Sequence, residues 1–164
     1  MSNVKKVESV LKRINSIIQD LIYKLEMFDE IVNMELKNEI LQNEDVIREM
    51  IAEEQLYEKG IDGLGRVIMS YMPYSNRTII KKQRKGQPFD RVTLRDTGKF
   101  HSSLHVEFDD DGFRIISVDN KSKYLLGKYG KAVINLTDEN LAILLKNYIK
   151  PSLIEKIKNK MLND

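Results

Sequence analysis

The sequence predicts an α+β fold with a long N-terminal helix, a small antiparallel sheet built on a central hairpin, and a C-terminal helix. Three observations carry this. Apolar residues recur in steps of three and four through the first 32 positions, residues 104–118 alternate about an acidic turn containing glycine, and a capped helical pattern follows Thr137.

The first element is defined by Val4, Val7, Leu11, Ile14, Ile18, Leu21, Leu25, Phe28 and Val32. They form a heptad a/d seam about 42 Å long at 1.5 Å per residue. The seam breaks at the next d position, which is Glu35. Val10 and Ile17 at g and Ile22 at e widen the apolar face beyond the need of a two-stranded coil. Such a face requires cover, from its own domain or from a neighbouring subunit, so Leu11, Ile14, Ile18 and Leu21 form the expected assembly or core stripe.

Asn43 is expected to cap a second helix that begins Glu44-Asp45 and runs through Val46, Ile47, Met50, Ile51 and Leu56 to Gly60. A boundary there divides the chain into an N-terminal helical segment, 1–43, and an α+β domain, 44–164. Gly60, Gly63 and Gly65 read as a flexible connection, since Gly-x-x-Gly-x-Gly is neither a dinucleotide fingerprint nor a phosphate loop. The apolar stretch 67–72 is too short to type and ends at Pro73. Residues 75–84 suit a short helix with Ile79 and Ile80 inward.

Residues 91–94 read as a short β-like segment. Asp96, Thr97 and Gly98 then supply a structural turn motif or helix cap, in which side-chain oxygens accept backbone N–H groups and glycine tolerates positive φ. Leu104, Val106 and Phe108 alternate with His105 and Glu107, Asp109-Asp110-Asp111-Gly112 turns the chain, and 113–118 returns it as a hairpin. Ile115 and Ile116 point to opposite faces, so part of the return strand should be covered on both sides. Thr137 is a good N-cap with Asp138 and Glu139 in the first turn, and the helix continues through Leu141, Leu144, Leu145 and Tyr148. A further helical segment can start near Pro151.

Composition narrows the chemistry. The chain has 164 residues, 41% of them hydrophobic and 32% charged, which suits a folded domain with a core. It has no apolar run near the roughly 18 residues of a membrane helix, and its first residues lack the apolar centre of a secretory signal, so an intracellular protein with no membrane partner is expected. Zero cysteines exclude disulfides, thiolate catalysis, Cys-type zinc sites and iron–sulfur clusters.

The net charge of +2 hides a division, because residues 1–60 carry 8 basic and 13 acidic side chains while 61–104 carry 9 and 3. The densest basic run holds Lys81, Lys82, Arg84 and Lys85, and none of the four is expected in the core. The run is either a solvated loop or a patch facing DNA phosphates or an acidic partner. No aromatic residue lies within it, so base stacking is not indicated.

No catalytic, cofactor-binding or metal site is expected. His101 and His105 stand four apart, but they span the passage from a short helix into a strand and the chain holds no third histidine. Ser102 and Ser103 beside them do not make a nucleophile and base by adjacency alone. The three consecutive aspartates lack the alternating ligands of an EF-hand loop, and its twelfth position would be Asn120, so the tip reads as solvated.

One series of segments goes further: Glu54-Gln55-Leu56-Tyr57-Glu58-Lys59-Gly60-Ile61-Asp62, then Gly86-Gln87-Pro88, then Asp90-Arg91-Val92-Thr93-Leu94-Arg95-Asp96-Thr97-Gly98-Lys99-Phe100. The hairpin, Lys128-Tyr129-Gly130 and Leu136-Thr137-Asp138-Glu139-Asn140 complete it. The series covers a little over half of the chain and resembles the head–tail joining or tail-completion proteins of tailed phages, small virion morphogenesis proteins. What the resemblance implies is a non-enzymatic structural subunit of the virion neck, made in the host bacterial cytoplasm and assembled as a homo-oligomeric ring. Its partners would be portal or connector and tail subunits, with residues 44–164 as the neck or tail-completion-like domain and non-specific contact with phage DNA at Lys81, Lys82, Arg84 and Lys85. A nucleic-acid-binding accessory protein using the same basic segment is the alternative.

Overall fold

The three-and-four periodicity of the first residues forms one helix, α1, over Ser2–Gln42. The computed structural model describes residues 2–109 and 112–163. The chain divides into two compact units, Met1–Glu39 with Ser152–Asp164, and Ile40–Pro151.

In the first unit α1 lies beside the last helix, α8, which spans Lys150–Asn163. Lys160 Nζ meets Glu35 at 2.5 Å and Lys156 Nζ meets Glu39 at 2.6 Å, while Ser152 Oγ donates to Glu39 at 2.7 Å. Rising numbers on one helix match falling numbers on the other, so the two run antiparallel. Glu35 and Glu39 are buried. A buried carboxylate is tolerated only with such partners.

In the second unit α2 (Glu44–Glu49) continues into a π-helical stretch, Met50–Lys59, which Gly60 ends at φ 65°. Met50, Ile51, Ala52, Gln55 and Leu56 are buried there, on turns that i→i+5 bonding makes wider than those of an α-helix. The helix start differs from expectation, because Asn43 makes no side-chain cap bond and sits at φ −102°, ψ 16°. Asn43 N instead bonds Ile40 O, so the chain passes from α1 to α2 through a single tight turn.

The glycine segment is also a correction, being an organised turn rather than a flexible connection. Asp62, fully buried, accepts from Leu64 N and Arg66 N with Oδ1, and from Arg66 Nε, Arg66 Nη2 and Tyr71 Oη with Oδ2. Ile61 and Val67 pair as an isolated bridge across it. Glycine is required for contact: a Cβ on Gly63 would stand 2.6 Å from Asn135 Cβ and O, and one on Gly60 would stand 2.7 Å from Arg91 Cβ. Burial raises the Asp62 carboxyl's pKa, but the Arg66, Tyr71 and backbone bonds outweigh it and hold the value below the usual range.

Helix α3 (Ile68–Tyr71) follows, and then α4 (Asn76–Arg84), with Ser75 Oγ accepting from Thr78 N as its N-cap. Ile80 is 49% exposed rather than inward. The inner face of α4 carries Lys82 instead, three positions beyond the half-buried Ile79.

Residues 91–94 form no strand. They run as buried chain through Val92, Thr93 and Leu94, and side chains rather than a neighbouring strand satisfy the backbone at Thr93. Leu94 sits at φ 51°, a left-handed position that turns the chain toward Asp96. Helix α5 (Lys99–Ser102) starts at Gly98, φ 87°, with no side-chain cap. The Asp96 carboxylate, expected as a cap or turn acceptor, is engaged by lysines.

The hairpin forms as expected, from β1 (Leu104–Asp109) and β2 (Gly112–Ser117), antiparallel with Leu104 opposite Ser117 and Asp109 opposite Gly112. The expected tip residues Asp110 and Asp111 lie outside the described residues. Ile115 is buried and Ile116 half-buried. Glu44 Oε1 accepts from Val106 N at 3.2 Å and so fills a backbone position at the edge of the pair.

Helix α6 (Ser122–Tyr129) and a 3₁₀ turn (Lys131–Ile134) lead to α7 (Asp138–Ile143), where Thr137 Oγ1 accepts from Asn140 N as expected. A π-helical stretch, Leu144–Ile149, joins α7 to α8. Pro151 therefore follows widened turns, which eases the clash of its ring with a preceding carbonyl.

Candidate functional site

Thr93 organises the centre of the second unit. Its N–H donates to Tyr74 Oη at 2.9 Å, its Oγ1 accepts from Lys82 Nζ at 3.1 Å, and its carbonyl meets His101 Nε2 at 2.8 Å. Lys82 Nζ also donates to Arg95 O at 2.9 Å and lies 5.1 Å from the Tyr74 ring centroid. Gln87 Nε2 donates to Asp96 O at 2.8 Å. Tyr74, Lys82, Gln87 and His101 thus do for residues 93–96 what a neighbouring strand would do. Burial pushes the His101 pKa down, which favours the neutral ring that donates from Nε2.

Tyr74, Lys82 and Gln87 of this hub form one wall of a cleft of about 720 Å³ whose other sides come from the 96–98 turn, α5, residues 119–121 and α6. Lys81, Lys82, Arg95, Lys99, Lys121 and Lys128 line it against Asp96 and Asp119. The cleft therefore joins three features that are far apart in sequence: the basic run, the Asp96-Thr97-Gly98 motif and Lys128-Tyr129. Part of the charge in and beside it is internally matched. Lys81 and Lys85 both bond the Asp96 carboxylate, which they hold down to about 2, and Arg95 grips both oxygens of Glu53 while lying over the Tyr57 ring.

The expected DNA- or partner-facing set is accordingly split. Lys82 is only 6% exposed, a correction to the expectation that all four cations stand outside the core, and burial lowers its pKa. Its stem crosses the inner face of α4 so that its ammonium reaches the 93–95 segment. Lys81 and Lys85 are exposed but tied to Asp96, and Arg84 is exposed on the helix's last turn.

His101 and His105 are not brought together as a pair: His101 is turned to Thr93 O, and His105 Nδ1 lies 3.1 Å from Ser103 O. Ser103 Oγ meets Ser117 Oγ at 2.6 Å, and no histidine nitrogen. Among the described residues no group of three His, Asp or Glu side chains is placed to hold a metal ion. No described helix is long and apolar enough to cross a membrane.

The motifs at 54–62 and 136–140 meet although they are some 80 residues apart. Gln55 is fully buried; its Nε2 donates to Asn135 O at 2.9 Å, and its Oε1 accepts from Thr137 N at 2.9 Å and Asn140 Nδ2 at 3.2 Å. Asp62 and Gly63 lie on the same side, with Gly63 N donating to Ala132 O at 2.8 Å. These motif residues brace loops and show no reactive arrangement. Sequence reading missed the roles of Gln55, Asp62 and Thr93, whose only signal was a polar residue next to an apolar one.

The other candidate surface is the stripe of α1. Leu11, Ile14, Ile18 and Leu21 are 45–54% exposed and Leu25 is 65% exposed. Of the two expected roles, core or assembly, the described chain leaves these side chains without the burial of a core.

Comparison of the chain with known protein families, with curated proteins and with solved structures finds no match.

Proposed function

We propose that this chain is a non-enzymatic structural subunit of a tailed-phage virion neck, of the head–tail connector or tail-completion type, that works as a homo-oligomeric ring between portal and tail. The observation that carries the assembly part is the uncovered aliphatic stripe of α1. An apolar patch that long on one helix is an interaction surface, because each side chain gains about 1.5–3 kcal/mol when fully buried. The phage part rests on the resemblance over residues 54–140. It is supported by the way those residues serve, as braces between loops.

The basic segment gives less support to the accessory-protein alternative, since Lys82 is internal and Lys81 and Lys85 share Asp96. Native mass spectrometry of the whole chain tests the reading. A closed oligomer, alone or on a portal complex, is the expected result; a monomer at all concentrations with no affinity for portal or tail subunits would refute it. Locating the chain in an intact particle tests the virion assignment directly.

A further inference from the structure

The seam of α1 changes chemistry where its partner changes. At d position 35 and a position 39 it carries acids, and there α8 supplies Lys160 and Lys156. The same antiparallel offset places Asn163, the last residue of α8, level with Val32. N-terminal to that level the seam is aliphatic and exposed from Val7 to Leu25, a stretch with Phe28 of roughly 32 Å at 1.5 Å per residue. Whatever covers it must present an apolar seam of the same period, not lysines.

We propose that these heptads are covered by the same helix from further copies of this chain, parallel and in register, in a bundle of three or more strands. The inference rests on the assembly reading above and names the partner. The stripe is self-complementary in one orientation. With Leu11, Ile18 and Leu25 at a, a parallel bundle sets each g residue against the e residue five positions on in the next copy. Lys24 then faces Asp29, and Ile17 faces Ile22. An antiparallel overlap of the same heptads sets Asp29 against Glu8, two acids together, and leaves Lys24 without an acid partner across the seam. In the single chain Lys24 bonds Asp20 at 2.8 Å with both side chains more than half exposed, a surface pair that is cheaply exchanged. The strand number follows from width: Ile17 and Ile22 flank the seam and are themselves exposed, more apolar surface than a two-stranded contact covers.

The absence of cysteine makes the test clean. In the full-length chain, Leu21→Cys at a d position should form interchain disulfides on mild oxidation, while Ser16→Cys on the outer face should not. Native mass should give three or more copies, and Ile18→Asp should abolish the oligomer while the helical circular dichroism of the second unit is retained. Circular dichroism of Leu21→Cys matching the parent guards against misfolding. An oligomer that survives Ile18→Asp, contains two copies, or links only a mixture of Ile18→Cys and Leu21→Cys chains would overturn this proposal and leave the assembly reading standing. A parent chain that stays monomeric, alone and with portal or tail subunits, would overturn both.

Discussion

Glu35 and Lys160 meet at 2.5 Å at the point where the aliphatic repeat of α1 should place its next apolar residue. The break in the repeat is therefore a change of partner and not the end of the helix, which runs on to Gln42. The lysine bond, opposed by burial, holds the Glu35 carboxyl below its ordinary 4.5. A carboxyl depressed in the folded state adds stability above its unfolded value and loses it as pH falls through the folded one. Docking of α8 should accordingly weaken on acidification below about pH 4.5, and Glu35→Gln should flatten that dependence. Hydrogen exchange of α8 amides between pH 7 and 3 would register it, and an unchanged profile in Glu35→Gln would count against the pair.

Lys82 and Thr93 should be energetically coupled. Thr93→Val removes an acceptor from a buried ammonium and should destabilise the chain by about 1–3 kcal/mol, because an unmet buried donor bears its full desolvation cost. Adding Lys82→Met should recover part of that loss, since removing both partners is cheaper than removing one. Urea unfolding midpoints of the two single variants and the double variant close the cycle. Strict additivity would mean that the contact carries no weight.

The hairpin, the Thr137 cap and the long first helix were legible because each is local: alternation, a capping side chain, a sustained heptad. Residues 91–94 were misread as strand because Val92-Thr93-Leu94 has strand composition, and nothing local reveals that Tyr74, Lys82 and His101 take the place of a neighbour. Helix α6 was not assigned, since its apolar residues cluster at Leu125 and Leu126 and Gly127 interrupts them. Lys82 was hidden in a charge run whose inner position shows only once the face of α4 is fixed. The two π stretches widen the helical turn, which a heptad template does not register. The cleft was legible only as separate motifs, because its walls come from segments joined by tertiary packing.

Tyr71 reports on the Asp62 turn. Its hydroxyl is pushed up to about 12, first by burial and then by the bond it donates to Asp62. Asp62→Asn removes the negative charge but not the burial, so the Tyr71 titration should move down toward 10 without reaching it. Ultraviolet titration of tyrosinate would follow the shift against the other tyrosines. A Tyr71 value unchanged in Asp62→Asn would show that the carboxylate does not act on it.

Gln55→Glu should make the chain's stability fall as pH rises toward 8. One glutamine oxygen already accepts from Thr137 N and Asn140 Nδ2, so a carboxylate oxygen can take that place. The other would face Asn135 O, to which Gln55 Nε2 now donates at 2.9 Å, and two acceptors would then oppose each other in a fully buried site. Protonation resolves this, because the neutral acid donates to Asn135 O. The folded pKa of the introduced acid should therefore rise above its unfolded value of about 4.3. A group raised in the folded state contributes stability that is complete below the unfolded value and lost as pH climbs through the folded one. Thermal unfolding of Gln55→Glu should thus show a deficit at pH 8, on the order of 1–3 kcal/mol, that shrinks toward pH 5. A deficit that stays constant from pH 8 to 5 would show that the Asn135 carbonyl turns away and that Gln55 is not the brace between residues 54–62 and 135–140.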